Sequence, residues 1–402
     1  MLDLIQKLFS GVMFFGTKDG LLCLGMYAIG AVLIYLAIAK DYEPNLLLPI
    51  GFGAILANLP PAFYNAVGEG FPGVIGTPEE PGFLQVLFDA GIASELFPIL
   101  IFIAVGAMID FGPLLKNPYM IFFGAAAQFG IFATFLIALA VTPLAGITDP
   151  DLRVKLSAAI GIIGAADGPT TIYVANLFKL GKYIAPITVA AYSYMAMVPI
   201  IQPPVIRLLT SRKERLIRME YQENSVSKTA KIIFPIAITM IAGILVPMSA
   251  ALVGSLMFGN LIRECGVLDK LSKAAQNELS SLVTILLGIT IGSTMRAADF
   301  LALETLLILL LGLGAFVFDT AGGVLFAKLF NVFLKKKINP MIGAAGISAF
   351  PMSARVIQKM AKDEDPTNFV LMQSISANVA GQLGSIVAGG IIIALVAMFF
   401  TV

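Results

Sequence analysis

The 402-residue chain contains no histidine, no tryptophan and only two cysteines, and 13% of its residues are charged. Without imidazole there is no histidine-based metal centre and no side chain that titrates unperturbed near neutrality, so proton work falls to carboxylates, tyrosine and water. Cys23 and Cys265 lie in or beside apolar segments, which points to neither a disulfide framework nor a thiolate metal site. A net charge of +1 with no basic, aromatic-interleaved patch gives no sign of a nucleic-acid partner. The first twenty residues carry Asp3, Lys7, Lys18 and Asp19 and lack a cleavable signal pattern, so an amphipathic interfacial segment is expected over 1–20.

What the chain has in excess is apolar surface: 58% of it is hydrophobic, and the mean hydropathy is +0.92. Stretches such as LLCLGMYAIGAVLIYLAIA from residue 21 are long enough to cross a hydrocarbon layer of ~30 Å. Such stretches recur to the C-terminus, and their length requires helices rather than a barrel. The fold class is an all-α polytopic membrane protein with the lipid bilayer as its solvent.

The chain also resembles itself. SELFPILIFIAVGAMIDF from 94 aligns with SSLVTILLGITIGSTMRAADF from 280, setting Gly106 against Gly292, and Asn58 has a counterpart in Asn260. IGIIGAADGPTT from 160 sits opposite IGAAGISAFPMS from 342, both small-residue runs ending at an X-Pro break. Interrupted segments at matching places in two halves are the signature of a transporter built from repeats.

Charge sets the topology. Residues 210–231 carry six basic and three acidic side chains, whereas residues 61–93 carry four acidic and no basic ones. The first stretch is expected in the cytoplasm and the second outside. The spans between them count correctly only if the segment with Asp167, and likewise the one from 340 to about 362, enters and turns back. Two inverted repeats follow, 21–209 and 232–402, joined by the basic linker 210–231. Each has about five transmembrane helices and one re-entrant hairpin, with the hairpin tips meeting near the midplane.

Gly168-Pro169 explains why Asp167 stands in GIIGAADGPTTIY. Proline lacks an N–H and disfavours helix at the residue before it, so nearby backbone groups lose their partners, tolerable at membrane depth only inside protein or beside a water-filled cavity. Freed carbonyls and a carboxylate are hard donors for a small cation. An intramembrane aspartate costs ~2.5–3.5 kcal/mol on insertion scales, which Na⁺ or H⁺ would relieve in exchange for one another. A carboxylate merely held by neighbouring amides is the plainer alternative. The second break, NPMIGAAGISAFPMSAR, brings Asn339, Gly343, Ser348 and Arg355. Arg355 either receives a carboxylate ligand or snorkels to the interface. Asn378 is a donor or a helix-packing amide. Tyr192 and Tyr194 fall near the depth of the hairpins, and Tyr194 is the candidate for proton or sodium handling. RECGVLDKLSKAAQNELSS from 263 reads as a helix on the cytoplasmic surface.

The stretches GAADGPTTIYVA, AAYSYMAMVPIIQPP, GNLIRECGVLDKLSKAAQNEL, NPMIGAAGISAFPMSARV and NFVLMQSISANVAGQLGS resemble, in order and over nearly the whole chain, the beta subunit of the sodium-translocating biotin-dependent decarboxylases. That family includes membrane subunits of oxaloacetate, methylmalonyl-CoA, glutaconyl-CoA and malonate decarboxylases. The resemblance implies a bacterial inner membrane, an elevator-like or rocking core, Na⁺ export, and decarboxylation of carboxybiotin carried by a partner. Those implied partners are a biotin carrier, a carboxyltransferase alpha subunit and a small single-span subunit, with a homo-oligomer expected within the complex. It assigns Na⁺ binding to Asp167, Asn339, Gly343, Ser348 and Asn378, carboxybiotin binding to Arg355 and Ser348, and sodium or proton handling to Tyr194. The one departure is Gly-Ala-Ala where Gly-Gly-Ala is expected before the aspartate. No Met-Lys-Met biotin attachment site is present, so biotin must be supplied by another chain. The alternatives are a stand-alone Na⁺- or H⁺-coupled carboxylate transporter and a purely structural anchor. An anchor needs neither hairpins nor a buried carboxylate.

Overall fold

A computed structural model describes residues 10–60, 81–219 and 226–400. Within them every regular element of more than one residue is helical. Among the described residues six helices are long and apolar enough to cross a membrane, and eight if each of two sharply bent pairs counts as one span. α1 (Lys18–Lys40) and α2 (Pro44–Ala57) are followed, beyond a segment outside the described residues, by a bent pair ending in α3 (Leu96–Met108). α4 (Ile121–Ala127) and α5 (Phe129–Val141) form one span broken at Gln128. α6 (Pro150–Ile162) and α7 (Gly168–Leu177) flank the first proline break, and α8 (Ile184–Ala196) and α9 (Val198–Leu209) form the second bent pair. The second half runs through α10 (Lys228–Leu245), α11 (Ala250–Glu264), α12 (Ser280–Ser293) and the 31-residue α13 (Leu303–Phe333). A 3₁₀ stretch over Pro340–Gly346 then leads to α14 (Met352–Glu364) and α15 (Leu371–Ala397). Most of the expected amphipathic segment 1–20 lies outside the described residues; Ser10–Phe14 forms one helical turn, and Lys18 already opens α1.

The internal likeness reappears as contacts. A Cβ built on Gly106 of α3 would meet Leu256 O of α11, and one on Gly259 would meet Ile103 O. In a second pair that also joins the two halves, Cβ atoms on Gly292 of α12 and Gly53 of α2 would meet Ile50 O and Ile289 O. Both pairs therefore lock backbone to backbone through glycines at the same spacing, the close approach that small residues permit between membrane helices. By this register Asn260 stands opposite Ala54, so Asn58 lies one turn beyond its sequence counterpart. Both amides nonetheless donate to equivalent carbonyls, Asn58 to Met295 O at 2.7 Å and Asn260 to Ile109 O at 2.8 Å.

α13 is the ruler of the molecule. α4 and α5 run antiparallel along it: Tyr119 stacks on Phe330, Phe123 meets Phe326, and a Cβ on Gly322 would touch Ala126 O. Further along, one on Gly130 would strike Asp319. The first hairpin starts beside the N-terminal end of α13, touches its middle at Gly164 and returns to that end, where Lys182 pairs with Glu304. The second enters from the opposite end, where Ile338 is held by the Asn331 side chain. It touches α13 where Gly343 and Gly323 face each other, and α14 carries it back to Glu364, paired with Arg215 of the linker. The two breaks meet directly, Ser348 N donating to Ala165 O at 2.9 Å.

The stretch from 263 differs from expectation, because it is not a surface helix: Arg263 and Glu264 finish α11, a turn with Gly266 at φ 72° follows, and Asp269–Ser293 continues as a single apolar span. Its lysines occupy one end of a crossing helix, and amphipathic spacing over so short a window does not distinguish the two.

Candidate cation site at two broken helices

The first break is built by Ala166, in the left-handed region at φ 52°, and by Pro169 near the start of α7. Asp167 becomes the N-cap of α7 and is buried, 3% exposed. Its Oδ1 accepts Thr170 N at 3.1 Å, and its Oδ2 accepts the hydroxyls of Thr170 at 2.7 Å and Ser385 at 2.6 Å. A carboxylate at a helix N-terminus sits where the macrodipole favours negative charge.

Around this carboxylate stand oxygens with no hydrogen-bond partner among the described residues other than Asp167 itself. Ser348 Oγ interacts with Asp167 across the junction of the two breaks and is otherwise unpartnered. Asn378 on α15 donates through Nδ2 to Ile347 O at 2.6 Å, leaving its Oδ1 free beside the same turn. Tyr192 Oη is buried, unpartnered and in the field of Asp167. The Tyr192 ring packs so closely on Gly168 that a Cβ there would fall 2.2 Å from Cζ. A carboxylate with serine, tyrosine and amide oxygens is a hard donor set of the sort a monovalent cation takes inside a membrane.

Four residues expected near the carboxylate stand elsewhere. Gly343 is backbone against backbone: a Cβ would lie 2.0 Å from Gly323 O, so its contribution is close packing of the second hairpin on α13. Asn339 is directed away from Asp167. Its Nδ2 donates to Arg215 O and Ile217 O at 2.8 and 3.0 Å, and its Oδ1 accepts Met341 N, so it fastens the basic linker to the second hairpin. Tyr194 donates its hydroxyl to Leu309 O on α13 rather than to Asp167. Arg355, in the first turn of α14, is exposed and faces the charge of Glu43 in the α1–α2 loop. Burial pushes the Glu43 carboxyl up, and Arg355 pulls it back down.

Thr170, Ser385 and Tyr192 are additions to the sequence-derived set. Ser385 had a signal: it follows Asn378 by seven residues, two helical turns on one face of α15. Thr170 is the third residue after the cap, where a capping side chain finds its donor. A separate cavity of about 250 Å³ is lined by Gln85, Lys182, Ser293, Arg296 and Asp299 near the N-terminal end of α13, and none of the carboxylate's partners lines it.

Residues 23–396 match the family described as the Na⁺-transporting oxaloacetate decarboxylase beta subunit. The chain belongs to this family. It is 47% identical to the methylmalonyl-CoA decarboxylase subunit beta of Propionigenium modestum, over 98% of this chain and 100% of that one. It is 46% identical to a probable oxaloacetate decarboxylase beta chain of Vibrio cholerae, over 92% and 94% of the two chains. The glutaconyl-CoA decarboxylase subunit beta of Acidaminococcus fermentans is 47% identical, over 92% of each. Family and apolar helices together identify a multi-pass bacterial membrane protein, the membrane subunit of a Na⁺-transporting decarboxylase, and decide against a stand-alone transporter.

Proposed function

We propose that this subunit decarboxylates carboxybiotin presented by a separate biotin carrier and uses the reaction to export Na⁺, with Asp167 as the sodium-binding carboxylate. The observation that carries the reading is Asp167 at the junction of two broken helices, with the free oxygens of Ser348, Asn378 and Tyr192 around it. The two halves are read as inverted repeats of five crossings each, counting the short helices α2 and α11 as spans. The linker end faces the cytoplasm. A carboxyltransferase alpha subunit and a small single-span subunit complete the complex.

Na⁺ entering from the cytoplasmic side takes the place of the hydroxyl protons at Asp167, whose oxygens turn toward it, and draws in Ser348 Oγ and Asn378 Oδ1. The carboxylate of carboxybiotin docks on exposed Arg355, seven residues beyond Ser348, so that cation and anion offset each other's desolvation. Loss of CO₂ breaks the N–C bond, and the ureido nitrogen takes a proton in its place. Removal of the anion weakens Na⁺ binding, and the hairpins then release the ion outward. A proton returning to Asp167 resets the cycle, so coupling resides in affinities that depend on which ligand is present. The membrane subunit meets carboxybiotin whatever acyl compound supplied its carboxyl group, in keeping with near-equal identity to relatives named for three different substrates.

Rocking has a seam to follow. α1, α2 and α12 share one apolar core, and most other helices share a second. Tyr192 packs into the first of these cores while its ring covers Gly168, next to Asp167 in the hairpin. The test is Asp167→Asn in the purified complex, with decay of free N-carboxybiotin and Na⁺ uptake into vesicles measured together. Both are expected to fall to background; Na⁺-stimulated decay at the wild-type rate would overturn the assignment.

A further inference from the structure

The sodium reading gives Asp319 no role. It lies at the middle of α13 and is 0% exposed. Its Oδ1 accepts the backbone N–H of Ile131 at 3.1 Å, which is shared with Gln128 O at 3.1 Å, and the carboxyl also takes the N–H of Gly130, where α5 restarts after Gln128. Its Oδ2 has no hydrogen-bond partner among the described residues. That oxygen lies against the tip of the first hairpin, since a Cβ on Gly164 would be 2.7 Å from it and 2.7 Å from Ala315 Cβ. Asp167 is three residues further along the same tip, so the break is flanked by one carboxylate on its incoming side and another on its outgoing side.

Charge on Asp319 meets no counter-charge among the described residues. α4, α5, α6, α8, α9 and both hairpin tips pack against α13. Lys155 of α6 pairs with Asp151, and Arg153 stands about three turns from Gly164 toward the start of that helix. The Tyr194 hydroxyl of α8 is bonded to Leu309 O, Arg207 of α9 lies in the field of Glu364, and Tyr119 ahead of α4 stacks on Phe330. Lys328 of α13 itself pairs with Glu214. An isolated carboxylate in such surroundings costs several kcal/mol, which two N–H groups offset only in part. Gly164 and Ala315 wall the free oxygen, a setting that suits a proton, which needs no shell, over Na⁺, which takes several oxygens.

We propose that Asp319 is a proton-binding site whose occupancy is set by the position of the first hairpin. With the tip seated, Gly164 seals Oδ2 and the carboxyl keeps its proton. When the tip shifts, Oδ2 is uncovered, the O–H bond breaks, and the proton passes to water, leaving a carboxylate on the α5 amides. Sodium occupancy at Asp167 and proton occupancy at Asp319 are then linked through one moving element. The proposal goes beyond the sodium reading.

Infrared difference spectroscopy of the full-length chain in lipid vesicles, with Na⁺ added at constant pH, tests it. A carboxyl C=O band is expected to be lost on Na⁺ addition and to shift in ²H₂O. It should be missing in Asp319→Asn and displaced in Asp319→Glu, which keeps the assignment readable if the asparagine variant does not fold. A band that Na⁺ leaves unchanged would make the proton a fixed part of the fold, and absence of any band assigned to Asp319 would make the group a permanent carboxylate. Either result overturns the proposal. Asp167→Asn separates the two readings: an Asp319 band that still responds to Na⁺ in that variant defeats the role given to Asp167 and leaves the proton site standing.

Discussion

Asp167 owes its readiness for a cation to hydroxyl donors that can turn. Ser385 and Thr170 donate to it now, but the same oxygens can accept a cation if their protons rotate away. A hydrogen bond to a charged group contributes ~1.5–3 kcal/mol, and ~1.4 kcal/mol is tenfold in affinity. Ser385→Ala is therefore expected to raise the Na⁺ concentration for half-maximal carboxybiotin decay by roughly 10- to 100-fold. The tyrosines should separate in the same assay. Tyr192→Phe removes an unpartnered oxygen beside the carboxylate and should weaken Na⁺ activation, whereas Tyr194→Phe removes a bond to Leu309 O and should lower thermal stability by ~1 kcal/mol with Na⁺ dependence little changed. Equal effects of the two on Na⁺ activation would contradict the geometry. Asp167 was legible in the sequence because a carboxylate before Gly-Pro in an apolar run is too costly at membrane depth to persist without a proton, a cation or dedicated donors. Tyr192 was not, since only the fold tells which of two tyrosines two residues apart covers Gly168.

The hairpins depend on close backbone approaches, and these fix what each can tolerate. A Cβ on Gly343 would sit 2.0 Å from Gly323 O, and one on Gly323 would sit 2.1 Å from Gly343 O. Gly343→Ala must push the second hairpin off α13, which also displaces Ser348 from Asp167. Loss of Na⁺-stimulated decay is expected, with the purified variant still helical by circular dichroism. At the linker end, Arg215 bonds Glu364 at 2.7 Å, and Arg218 bonds Asp365 at 2.7 Å. Hydrogen bonds from Thr367, then Arg218, hold the Asp365 carboxyl down at about 2, and Arg215 lowers that of Glu364. Carboxylates held below their ordinary range stabilise the folded clasp above that range, and the contribution is lost as pH falls through the depressed values. Hydrogen-exchange protection of residues 211–218 should thus be flat from neutral pH to about pH 5 and fall on further acidification. Arg215→Ala should remove it at neutral pH. Asn339 belongs to this clasp. From sequence it looked like a cation ligand because an asparagine before proline caps a broken helix equally well toward either side, and the linker that captures it lies more than a hundred residues away.

At the scale of the molecule, an internal likeness was readable through glycine spacing: Gly106 and Gly292, aligned in sequence, make corresponding backbone contacts, α3 on α11 and α12 on α2. The one-turn offset between Asn58 and Asn260 was not readable, because both amides reach equivalent carbonyls from different starting points. Inversion of the halves across a bilayer makes a sharp demand. Contacts along α13 put Gly146 at the end where the first hairpin starts and Lys335 at the end where the second enters, separated by a helix of 31 residues. At 1.5 Å per residue that helix is ~46 Å long, more than the hydrocarbon thickness of ~30 Å, so the inverted reading expects the two positions to face different compartments. In a background with Cys265→Ser, where buried Cys23 stays silent, Gly146→Cys should react with a membrane-impermeant maleimide added outside intact cells. Lys335→Cys should react only in inverted vesicles. Labelling of both from one side would mean that α13 does not hold its two ends in different compartments. The hairpins would then enter from a single face, and no alternating access to Asp167 could be built on them.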